Sequence, residues 1–216
     1  MFNSFLSALL YEILSFLAKH GKENLANLKV PAVFRKYLEE VSDAEFLRDL
    51  QLVLEVINGA DMATLSLKTS PFFSALLEFF SDTFASKLDQ MDMNFYLLPY
   101  EDRLKKAQEL LNSESKTAHA LRDLLVNNSY QELAEAFENL SKTVKDASTI
   151  LIQIPRAIPR ELKKEMREQL ASEHPYSFPV FQINKQLIGG FRVFVDGKSI
   201  DHSWFSKVQK LSSLTH

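Results

Sequence analysis

Apolar residues over the first ninety positions recur at steps of three and four. Phe2, Phe5, Leu6, Leu9, Leu10, Ile13 and Leu17 fall on one side of a helix, because such spacings stack residues on a single face. His20-Gly21-Lys22 closes this helix, with glycine just past the last turn, where a left-handed backbone is favoured. Pro31 reopens the chain at a first-turn position, and Val33, Phe34, Tyr37 and Leu38 line the next apolar face. Ser42-Asp43-Ala44-Glu45 reads as a capping box ahead of Phe46, Leu47, Leu50, Val53, Leu54 and Ile57, since hydroxyl and carboxylate can each satisfy an amide the helix leaves open. Asn58-Gly59 ends that run, and a short helical turn is expected over 61–67. Ser70-Pro71 then starts a helix with Phe72, Phe73, Leu76, Leu77, Phe80, Phe84 and Leu88 on its inner side. Helices joined this closely pack as a bundle.

The helical period breaks between 91 and 100, where Pro99 stands. A helix carrying Leu104, Ala107 and Leu111 follows, then the polar join Asn112-Ser113-Glu114-Ser115. Helices are expected over about 116–126 and 131–146, and a strand over 149–154. Pro159 opens a helix with Leu162, Met166 and Leu170 inside; its other face mixes Lys163, Lys164 and Arg167 with Glu161, Glu165 and Glu168 and reads as solvated, with Lys164 able to meet Glu168 one turn on. Pro175 and Pro179 bracket the entry to a second strand, about 177–183.

Beyond that point the period becomes two. Phe191, Val193 and Val195 alternate with Arg192 and Phe194, the pattern of a strand with one buried face. Asp196-Gly197 supplies a tight reversal. Asp201 or Ser203 can cap a closing helix with Trp204, Val208 and Leu211 packed inward. Two strands separated by a helix pair in parallel through a crossover, and the hairpin adds a third. The expected architecture is therefore mainly α with a small α/β domain: a helical bundle over 1–100, a helical linker over 101–115, and an α/β domain with a three-stranded sheet over 116–216.

The 216 residues, nearly half apolar and a quarter charged, suit a globular chain with a real core. Phenylalanine occurs 17 times, mostly at helical spacing, which favours an aromatic-filled bundle over a cofactor pocket. A net charge of −3 argues against nucleic acid as the main partner. Cysteine is absent, which removes disulfides, thiol catalysis and cysteine metal sites. No apolar run reaches the ~18–20 residues that span a bilayer. Residues 2–17 are apolar but lack a basic leader and carry Glu12, so they read as a core helix and not as a signal peptide.

Candidate chemistry is sparse. The chain holds five glycines, and Gly189-Gly190 are adjacent. A phosphate cradle needs glycine amides at a helix N-terminus, whereas here a strand follows, so the pair points to a bend or a close backbone approach. The five histidines show no paired ligand spacing, so no metal site is expected. Asp201, His202 and Ser203 are neighbours on a turn, where side chains diverge; a catalytic trio needs convergence. No acidic pair sits in an apolar setting that would suit acid catalysis. Neither a catalytic constellation nor a cofactor is expected. Arg156 and Arg160, flanking Pro159, are candidates for contact with an acidic partner.

Leu187-Ile188-Gly189-Gly190-Phe191, followed by an alternating strand, a short turn and Ile200-Asp201-His202-Ser203, resembles the C-terminal end of the delta subunit of rotary ATP synthases, whose mitochondrial relative is the oligomycin-sensitivity-conferring protein. Ala157-Ile158-Pro159 after a strand is similar to that family's entry to a helix, and Leu124-Leu125-Val126-Asn127-Asn128 with the helix after it to the start of the same domain. Asn184 stands where the family commonly has Asp, His202 replaces the Gly of Asp-Gly-Ser, and Phe194 occupies a site usually polar. The family's first-helix pattern, Tyr-Ala-x-Ala-Leu-Phe, is not found near the N-terminus.

The resemblance implies a non-catalytic stator component of the peripheral stalk. Its helical domain would hold the N-terminal segments of the alpha subunits, and its C-terminal domain the far ends of the b subunits. Membrane association would be indirect, through the complex, at the cytoplasmic face of a bacterial cell membrane. Two other readings stay open: a different stalk or helical adaptor protein with a delta-like tail, and a small enzyme acting through the Gly-Gly hairpin.

Overall fold

The computed structural model describes residues 1–91, 94–145, 147–175 and 177–207. Its helical part starts with α1 (Asn3–His20), α2 (Ala32–Glu40) and α3 (Asp43–Ile57). The expected capping box is present: Ser42 and Glu45 exchange bonds at the start of α3. Gly21 and Gly59 take positive φ past α1 and α3. Two short 3-10 turns, Met62–Thr64 and Leu67–Thr69, lead to α4 (Pro71–Glu78), which is capped by Ser70 and begins on Pro71.

The helix begun at α4 does not run on regularly. A π-helical turn, Phe79–Phe84, separates it from α5 (Ala85–Asp89). The wider turn brings Phe79, Phe80 and Phe84 into the core together, with Phe79–Phe80 and Phe80–Phe84 centroids 5.2 and 5.5 Å apart. Phe2 and Phe137 lie 4.9 Å from Phe80, and Phe137 lies 4.6 Å from Phe178. An aromatic column thus runs from the first helix to the approach to the sheet. Contacts of this kind add about 0.5–1.5 kcal/mol each beyond area burial.

Next come α6 (Tyr100–Leu110), α7 (Lys116–Asn127) and α8 (Tyr130–Val144). A second capping box, Ser129 with Glu132, starts α8. Leu121, Leu124 and Leu125 of α7, and Leu133, Phe137 and Leu140 of α8, share one apolar core with Phe5 and Leu9 of α1 and with Phe2 just before it. Within this core Asp49 is buried. It accepts from Tyr37 Oη at 2.9 Å, Ser70 Oγ at 2.6 Å and the Phe72 N–H at 3.0 Å, which ties α2, α3 and the positive end of α4 together. Burial, and then the Asp49 carboxylate, push the Tyr37 phenol well above its ordinary value.

The sheet follows: β1 (Ile150–Ile154), α9 (Arg160–Glu173), β2 (Val180–Ile183), β3 (Arg192–Val195) and β4 (Lys198–Asp201). Strand order is β2-β1-β3-β4, with β1 and β2 parallel, as the helix between them requires, and the other pairs antiparallel. Ile150, Ile152, Ile154, Phe181 and Val193 form a second core, with Met166 and Leu170 of α9 packed on it.

The sheet has four strands where three were expected. Asp196 and Gly197 both take positive φ, at +50° and +79°, the geometry that returns a strand along its neighbour. Val195 then pairs with Lys198, and Arg192 with Asp201. Strand β4 lies at the sheet edge with no buried face, so its residues carry no apolar alternation to announce it.

The charged face of α9 also differs from expectation. Lys164 and Glu168 form the exposed pair, at 3.5 Å, but Lys163 and Arg167 are buried and Leu162 is 42% exposed. Arg167 Nε donates to the buried Asp89 Oδ2 of α5 at 2.6 Å, while the rings of Phe178 and Phe181 lie 4.9 and 5.2 Å from its guanidinium carbon. Tyr130 Oη accepts from the Phe181 N–H at 3.1 Å. The helical part and the sheet are thus joined by a buried ion pair and a hydrogen bond to β2. Asp49 and Asp89 are buried singly, each engaged by a neighbouring donor. Among the described residues no helix is long and apolar enough to cross a membrane.

Candidate docking site

The glycine pair lies in the loop between β2 and β3, and its conformation has two physical causes. Gly190 has φ of +76°, and a Cβ placed on it would stand 2.3 Å from the His202 carbonyl oxygen and 3.0 Å from Ser203 Cα. Another residue would meet both left-handed strain and a backbone collision. Gly189 lies under Trp204, whose indole carbons would be 3.2–3.4 Å from a Cβ there.

The segment after β4 clamps this bend. The His202 N–H donates to the Phe191 carbonyl at 3.0 Å, and the Trp204 N–H to the Gly189 carbonyl at 3.1 Å. Arg192 binds Asp201 Oδ2 through Nε at 3.1 Å and a terminal nitrogen at 2.7 Å. Asp201 Oδ1 accepts from the Ser203 N–H at 2.8 Å, and Ser203 Oγ accepts from the Ser206 N–H at 3.2 Å. Ser203 hydroxyl and amide hydrogen bonds, then Arg192, hold the Asp201 carboxyl down to about 2. Asp201 and Ser203 therefore close a turn and cap a helical turn over 204–207. His202 is exposed and its ring rests 5.1 Å from that of Phe191, so the three side chains do not converge as a catalytic trio.

Beside the clamp lies an apolar groove of about 510 Å³ between the β1–α9 connection and the 188–191 bend. Ile188 is 80% exposed and Trp204 65% exposed; with Leu162 they form its apolar rim, and the exposed Arg156 adds a cation. Trp204 was expected to pack inward. It instead lies against the backbone of Gly189, where the absent side chain makes room for the ring, and remains largely exposed. Val208 and Leu211, expected beside it in a closing helix, lie outside the described residues.

The sequence motif is thus gathered in one place. Gly189, Gly190 and Phe191 face the Asp201–Ser203 clamp, Ile188 points outward and Leu187 is buried. Ala157 and Pro159 are exposed in the connection that flanks the groove without lining it, and Pro159 immediately precedes α9. The Arg192–Asp201 pair and the outward faces of Leu162 and Trp204 were missed. Arg192 and Asp201 are nine apart, and nothing short of the β3–β4 register sets them opposite. Among the described residues no group of three or more His, Asp or Glu side chains is placed to hold a metal ion.

A family model, ATP synthase delta (OSCP) subunit, matches residues 97–214, more than half of the chain. The chain belongs to the ATP synthase delta (OSCP) family. No curated protein and no solved structure matches it. A delta-family chain is a component of the peripheral stalk of ATP synthase, which fits a site made of packed backbone and exposed apolar side chains. Two of its departures from the delta pattern, at His202 and Asn184, are accommodated locally. His202 keeps the backbone contact to Gly190 and sends its ring outward. Asn184 donates through Nδ2 to Gln153 Oε1 at 3.1 Å, and its Oδ1 accepts from the Gln186 N–H at 3.0 Å.

Proposed function

We propose that this delta-family chain is a non-catalytic stator subunit linking the catalytic head of a rotary ATP synthase to its membrane-anchored stalk. In this reading the helical part holds N-terminal segments of the alpha subunits, and the α/β part receives the far end of the b subunits. The assembly sits at the cytoplasmic face of a bacterial cell membrane and keeps the head from turning with the rotor. The observation that carries the reading is the rigid clamp at Gly189-Gly190, which presents Ile188, Leu162 and Trp204 to solvent beside an apolar groove. An apolar groove on a stiff support suits a helix laid into it, and resisting torque needs contacts, with no reacting group.

Affinity purification from native membranes tests the assignment. Alpha and b subunits retained with the chain support it, and Ile188→Asp should release b while keeping alpha. Recovery of neither subunit overturns it in favour of a different adaptor.

We also propose that the chain works as two mechanical units with a join in the region of 101–115. The exposed stretch 112–114 should be nicked first by protease. Because α7 contributes to the core that contains α1, the fragments should stay together until denatured. First cleavage outside 101–115 would overturn this placement of the join.

A further inference from the structure

A second cavity, remote in sequence from the clamp, lies in the helical part. It is a slot of about 520 Å³ between the π-helical turn Phe79–Phe84, the first turns of α7 and the chain entering α2. Val30, Phe79, Phe84, Ala118 and Leu121 line it, each less than one-tenth exposed. A space of about 520 Å³ is of the size that takes a small apolar ligand. Two ammonium groups, Lys29 and Lys87, stand among the lining residues with no acid, and neither has an ion-pair partner among the described residues. This is a local concentration of positive charge on a chain of net charge −3. Of the neighbouring hydroxyls, Thr117 donates to Glu12, Ser115 Oγ accepts from the Ala118 N–H and Ser113 Oγ accepts from the Ser115 N–H. The two lysines are the cations in the lining that can meet a ligand's anionic end, with the exposed Thr83 hydroxyl beside them. The π turn adds to the picture, since such turns recur at functional sites, and the slot's size lies within the range of small-molecule sites.

We propose that this slot binds a free single-chain amphiphile with an anionic head, a fatty-acid carboxylate, its tail along Phe79, Phe84 and Leu121 and its head between Lys29 and Lys87. The proposal stands independently of the stator reading.

Dodecanoate below its micelle concentration is the probe, titrated into the full chain by calorimetry and followed by amide NMR shifts. Saturable binding at one site, with shifts centred on residues 79–87 and 117–121, is expected. Dodecanol should bind at least tenfold more weakly. Lys29→Glu with Lys87→Glu should weaken dodecanoate at least tenfold and leave dodecanol unchanged. Ala118→Leu should fill the slot and abolish both; should that variant fail to fold, the charge-reversed one still decides, because neither lysine belongs to the apolar core. Absence of saturable binding, equal binding of acid and alcohol, or indifference to the charge reversal would overturn the proposal. So would capture of the chain by anionic vesicles through the same lysines when free dodecanoate does not bind, which would indicate a membrane surface.

Discussion

Arg167 on α9 reaches Asp89 on α5 across the join between the helical part and the sheet, Nε to Oδ2 at 2.6 Å, with both side chains almost wholly out of water. The two terminal guanidinium nitrogens are buried with no hydrogen-bond partner, and the rings of Phe178 and Phe181 lie alongside. Asp89 is thus the principal compensation for a buried charge. Removing one partner of such a pair costs about 3–5 kcal/mol, whereas replacing both by apolar residues is often neutral.

Asp89→Ala should accordingly destabilise the chain by about 3–5 kcal/mol in chemical denaturation. The double variant Asp89→Leu with Arg167→Met should recover most of that loss. A single-variant loss under about 1 kcal/mol would mean that water reaches the guanidinium when Asp89 is gone.

Gly190 and Gly197 share a positive φ but differ in surroundings. A Cβ at Gly197 meets nothing within 4 Å, so Gly197→Ala should cost only the left-handed strain, roughly 1–2 kcal/mol. Gly190→Ala adds the collision with the His202 carbonyl and should cost at least about 1 kcal/mol more. Gly190→Val should also lose capture of b subunits. Equal losses at the two glycines, measured by urea denaturation, would remove the close approach as the reason for the motif.

Ile188 and Trp204 should separate binding from stability. Ile188→Asp and Trp204→Ala are expected to change folding stability by about 1 kcal/mol or less, as exposed positions do. Partner capture should fall by tenfold or more, because exposed tryptophan in an apolar patch concentrates binding energy. Unchanged retention of stalk subunits by both variants would place docking elsewhere.

The clamp should fail in acid. Asp201 has its folded carboxyl held at about 2 against an ordinary value of 3.8. A lowered folded value means that its contribution is complete above pH ~4 and is lost as pH falls through about 2. The Asp201→Asn variant should therefore be less stable than the parent at neutral pH, and the two should converge between pH ~4 and ~2. A difference that persists at pH ~2 would trace the effect to shape and not to charge.

The helical elements were legible because each carries its own signals. Apolar residues at steps of three and four, the Ser42–Glu45 box, Ser70-Pro71 and Gly21 all act within one turn of chain, so α1 to α4 could be read without knowing what they touch. The β1–β2 pair and the Asp196-Gly197 reversal were legible for the same reason. The Gly-Gly motif pointed to an unusual backbone, though not to the atom that requires it.

What local pattern could not convey were the contacts made between distant parts of the chain. Lys163 and Arg167 read as solvated because charged residues on an amphipathic helix ordinarily are, and Arg167 is held in the interior by Asp89, nearly eighty residues earlier. Strand β4 has no buried face, so only its pairing with β3 reveals it. The outward face of Trp204 depends on a glycine placed fifteen residues before it. Sequence alone established the order of most helices and of the first three strands, and the need for glycine at the bend, because those follow from short-range sterics and periodicity. The buried ion pair, the fourth strand and the exposed groove arose on packing, where long-range burial sets the environment of each side chain.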